Sequence, residues 1–79
     1  MRIYIARASV DVKYLIEETE NYERREAINP YIIMSQKTLN KLVQNDESDV
    51  RIDEHGGYEI GDYKILINQD LPFGEVDIR

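Results

Sequence analysis

Cysteine is absent from the 79 residues, which excludes a disulfide, a thiolate nucleophile and a sulfur-ligated zinc site and favours a reducing, intracellular setting. Tryptophan is absent too, histidine occurs once, and no apolar run exceeds four residues, far short of the roughly 20 that cross a bilayer. No basic leader precedes an apolar segment, so neither a membrane protein nor a secretory precursor is expected. Basic residues are also in short supply. Ten Lys and Arg against sixteen Asp and Glu leave a net charge of -6, which disfavours direct binding to a phosphate backbone.

Catalytic constellations are missing for the same compositional reasons. His55 stands beside Gly56 and Gly57 in a turn, with Asp53 and Glu54 as ordinary solvated neighbours and no further partners for a dyad or a metal. Asn45, Glu47 and Asp49 alternate as in a calcium loop, but Val50 stands where such a loop needs glycine. The four glycines are spread along the chain and build no phosphate cradle, and the serines lack a nucleophile context. The carboxylate pairs Glu17 with Glu18 and Asp53 with Glu54 come without the aromatic platform that a sugar site needs. No catalytic residue, metal or cofactor is expected.

What is present is a pattern of short elements. Ile3 and Ile5 alternate within residues 1–7 as on one face of a strand. Ser9 can cap a helix running from about Val10 to Ala27, with Val12, Leu15, Ile16, Thr19 and Tyr22 as its inner stripe and a charged outer face. Pro30 bars any continuation of that helix. Tyr31 to Met34 then read as an apolar strand, and Ser35 caps a second helix with Leu39, Leu42 and Val43 turned inward.

The remainder reads as a meander. Val50 and Ile52 share one strand face, Gly56 and Gly57 turn the chain, and Tyr58 and Ile60 return. After Gly61 and Asp62, Tyr63, Ile65 and Ile67 form a third strand, where Leu66 on the alternate side predicts a central strand covered on both faces. Val76 and Ile78 predict a final edge strand. One α+β domain over residues 1–79 follows: two helices packed on a mainly antiparallel sheet of about four to five strands.

Two surfaces suggest partners. The turn Leu71 to Phe73 reads as an exposed apolar anchor, and edge strands at residues 1–7 and 75–79 could pair with another chain. Seven acids against Arg51 between Leu42 and Asp62 give -6, the whole net charge of the chain. Asp46, Glu47, Asp49, Asp53 and Glu54 could therefore face a basic protein surface.

The order of these elements has a counterpart. Residues 28–44, INPYIIMSQKTLNKLVQ, then the glycine hairpin and YEIGDYKILINQDLPFGE, resemble a segment of HK97-type phage major capsid proteins and the related encapsulins. Met34, Ser35, Thr38, Leu39, Leu42, Gly57, Gly61, Tyr63, Ile65, Ile67 and Pro72 carry the match, which spans roughly Tyr14 to Gly74 of a family whose subunits are several times longer. The resemblance implies a phage or prophage origin and no active-site residues. The expected function is a non-enzymatic structural or accessory protein acting by association with itself or with a phage or host protein, in the host cytoplasm or on the virion. The alternative is an acidic inhibitor of a basic, nucleic-acid-binding surface.

Overall fold

The computed structural model describes residues 1–5, 12–46 and 50–79. Among them the elements run β1 (Arg2–Tyr4), α1 (Val12–Glu26), β2 (Ile32–Met34), α2 (Gln36–Asp46), β3 (Val50–Ile52), β4 (Tyr58–Ile60), β5 (Tyr63–Ile67) and β6 (Glu75–Ile78). The chain is an α+β domain, as the sequence predicts. Ser9 and Val10, the expected cap and start of the first helix, lie outside the described residues, as do Arg7 and Ser48.

Each helix forms for a visible reason. Val12, Leu15 and Thr19 of α1 are buried at helical spacing, and the Thr19 hydroxyl donates to the Leu15 carbonyl at 2.8 Å, which satisfies it within the apolar stripe. The helix stops at Glu26 because Ala27 takes φ 55°, a left-handed cap normally given to glycine. In α2 the Ser35 hydroxyl accepts from the Thr38 amide at 3.2 Å, the expected N-cap bond.

The six strands form one sheet in the order β1-β6-β2-β5-β4-β3. Three features differ from the sequence expectation. The sheet has six strands instead of four or five. Its middle pair, β2 with β5, is parallel, joined by α2 and the β3–β4 hairpin, where a meander was expected, within a sheet whose other four pairings are antiparallel. And β6 is not an edge: it inserts between β1 and β2, antiparallel to both, with Val76 and Ile78 fully buried. The edges are β1 and β3.

Because β1 and β2 both run against β6, the chain makes two parallel crossovers, β1 to β2 and β2 to β5, in one direction across the sheet. At the usual right hand this places both helices on one face. Val12 and Leu15 of α1 and Leu39 and Leu42 of α2 accordingly share one core with Ile32, Met34, Ile60, Tyr63, Ile65, Val76 and Ile78. Each such side chain contributes about 1.5–3 kcal/mol by leaving water.

Candidate functional site

Side chains alternate across a strand, so the residues between the core positions emerge on the opposite face, which no described helix covers. The register lines them up in two rows across the strands. One passes through Arg2, Asp77, Ile33 and Leu66 and continues to Gly57 and Asp53, whose backbones pair at 2.7 Å. The other starts at Arg79, bonded through its backbone to Tyr31, and continues through Lys64 and Glu59 to Arg51. Tyr4 and Glu75 stand beyond the first row at the β1 end.

This face exposes apolar surface: Tyr4 at 64 %, Tyr31 at 47 % and Leu66 at 46 %, with Ile33 half-buried between them. The position of Leu66 corrects the expectation of a strand covered on both sides. β5 is central, yet its second face is open.

The charges of the face are mutually arranged. Arg2 meets Glu75 at 2.8 Å, Arg79 meets Asp77 at 2.7 Å, and Arg51 meets Glu59 at 3.1 Å while donating also to the Gly61 carbonyl. Asp77 is the one buried carboxylate among the described residues, and its ion pair with Arg79 offsets the cost of that burial. Tyr31 and Lys64 also line a pocket of about 300 Å³ with Asn29, Pro30, Glu59 and Asp62.

Asp53 is a structural acid. Its carboxylate accepts the Gly57 amide at 2.9 Å and the His55 amide at 2.8 Å, and these bonds, the Gly57 one foremost, hold its carboxyl below the ordinary 3.8. A Cβ on Gly57 would stand 2.9 Å from Asp53 Oδ2, so glycine there is what admits the carboxylate.

The other residues singled out from the sequence are scattered. Leu71 is buried at 7 %, which removes it from the expected exposed anchor, while Phe73 is 46 % exposed. Asp46 ends α2, Glu47 and Asp49 lie outside the described residues, and Glu54 stands in water at the hairpin tip with its side chain 89 % exposed. His55 lies 3.9 Å from Glu54 and is equally solvated. Among the described residues no group of three or more His, Cys, Asp or Glu could hold a metal ion, and no helix is long and apolar enough to cross a membrane.

Sequence reasoning missed Tyr4, Tyr31, Ile33 and Leu66 as a group. Their signal was the apolar residue recurring at a position expected to face water, which the strand period alone could not distinguish from a second buried face. No protein-family model, curated protein or solved structure matches the chain.

Proposed function

We propose that this chain is a non-enzymatic structural or accessory protein that works by protein association. The observation that carries the reading is the uncovered sheet face, where Tyr4, Tyr31 and Leu66 together present apolar surface that a packed layer would normally cover. Arginines and tyrosines, the residue types enriched at protein interfaces, surround and interrupt that patch. The phage or prophage part of the proposal, capsid-related and either virion-associated or in the host cytoplasm, rests on the pattern of residues 14–74 alone.

Light scattering on the purified chain, with affinity capture by the chain and by Leu66→Glu side by side, tests the reading. Association with itself or another protein that Leu66→Glu removes is the expected result. A monomer that captures the same proteins as Leu66→Glu overturns it.

The acidic-inhibitor alternative draws less from the geometry. Among its acids with described side chains, Asp53 accepts two amides of its own hairpin and Glu54 stands in water.

A further inference from the structure

Resting on that reading, we infer that the occupant of the open sheet face is the same face of a second copy, related by a two-fold axis that runs across the strands between the two rows.

The first argument is charge. The face carries four bases (Arg2, Arg51, Lys64, Arg79) and four acids (Asp53, Glu59, Glu75, Asp77), so it is neutral. The whole chain has ten bases and sixteen acids. The other described side chains comprise five bases and eight acids, so the excess of acid among the described residues lies outside these eight. Two acidic copies therefore approach with least repulsion through these neutral faces.

The second argument is register. A two-fold axis between the rows lays each strand over its own counterpart and exchanges the rows. Asp77 then meets Arg79 of the second copy, and Asp53 meets Arg51 of the second copy. In the middle Ile33 meets Tyr31 and Leu66 meets the stem of Lys64, whose ammonium reaches past it to solvent. Glu59 falls opposite Gly57, where no side chain obstructs it. Arg51, Lys64 and Arg79 each meet an acid or an apolar residue, Arg2 keeps its own Glu75 because β1 reaches only the first row, and each contact occurs twice, as an isologous interface requires. A face-to-face pair of sheets is a standard packing, with the strands within about 30° of each other.

The third argument is size. Six strands about 4.8 Å apart and about 10–16 Å long give a footprint of roughly 300 Å² on each copy. This is below the ~800 Å² per partner of a stable complex, so the dimer is weak and concentration-dependent.

The absence of cysteine makes the register testable. Lys64→Cys and Leu66→Cys are both substitutions at exposed positions. The two single variants, one of them isotopically labelled, are mixed at high concentration and treated with a short bis-maleimide, and the products are weighed by mass spectrometry. Circular dichroism identical to the parent confirms their folding. The mixed dimer is expected to exceed the two homodimers severalfold over the random proportion, and Leu66→Glu is expected to abolish dimerisation in light scattering. Random proportions overturn the register. A chain that stays monomeric to about 1 mM, a concentration that detects even a very weak pair, overturns the second copy as occupant. If capture of another protein still depends on Leu66, association survives and only this inference fails; if it does not, both fail.

Discussion

The Tyr63 hydroxyl donates to Glu23 Oε1 at 2.9 Å, fastening the first residue of β5 to the C-terminal half of α1. Burial first, and then this bond to a carboxylate, push the phenol up to about 12. Since the folded state holds the proton more tightly than the unfolded one, the stabilisation is fully present below pH 10 and is lost as pH rises from 10 toward 12. Tyr63→Phe should lower stability at neutral pH by about 1 kcal/mol, the net worth of one hydrogen bond. Thermal melts should show the gap to the parent closing across that alkaline window; a gap independent of pH would break the link to ionisation.

Asp53 works in the opposite direction. Its carboxyl sits below 3.8 through the Gly57 and His55 amides, so its stabilisation is present above that value and fades as pH falls through the folded one. Asp53→Ala should melt earlier than the parent at pH 7, and acidification well below 3.8 should bring the two curves together.

Thr38 joins two distant segments, its hydroxyl accepting the buried Gly74 amide at 3.0 Å. Thr38→Val keeps the volume and leaves that amide without its acceptor, an expected loss of about 1–3 kcal/mol. Urea unfolding at constant slope measures it; a loss below a few tenths would mean that the turn re-forms its bond elsewhere.

Ala27 offers a gain. At φ 55° a residue with a Cβ is strained, and glycine is not. Ala27→Gly should raise stability by about 0.5–1 kcal/mol against the entropy glycine adds to the unfolded chain. A melting temperature that falls would place the entropy above the strain.

Local chemistry was legible in the sequence and long-range pairing was not. The Ser35 cap, the inner stripes of both helices and the Gly56 hairpin each depend on residues within one turn of one another, and each stands where the pattern places it, while the first helix ends at the left-handed Ala27, ahead of Pro30. The position of β6 depends on two strands more than forty residues away. Its Glu75 and Asp77, alternating with Val76 and Ile78, read as a half-wetted edge, and only the pairing of Asp77 with Arg79 shows how an acid tolerates an interior strand. Leu66 illustrates the same limit. An apolar residue on an outward position signals cover, but whether the cover is a helix of the same chain or a second molecule is not a local property.

The insertion of β6 also governs when the protein can form. A ribosome delivers β1, both helices and β2 to β5 before residues 75–78 exist, and until they arrive β1 has no strand to pair with and β2 has one neighbour instead of two. Nascent chains lacking this segment leave β2 as an open sheet edge along Ile32 to Met34. Pairing Arg2 with Asp77 closes a loop of nearly the whole sequence, so sheet completion is a late, slow step for a domain this small.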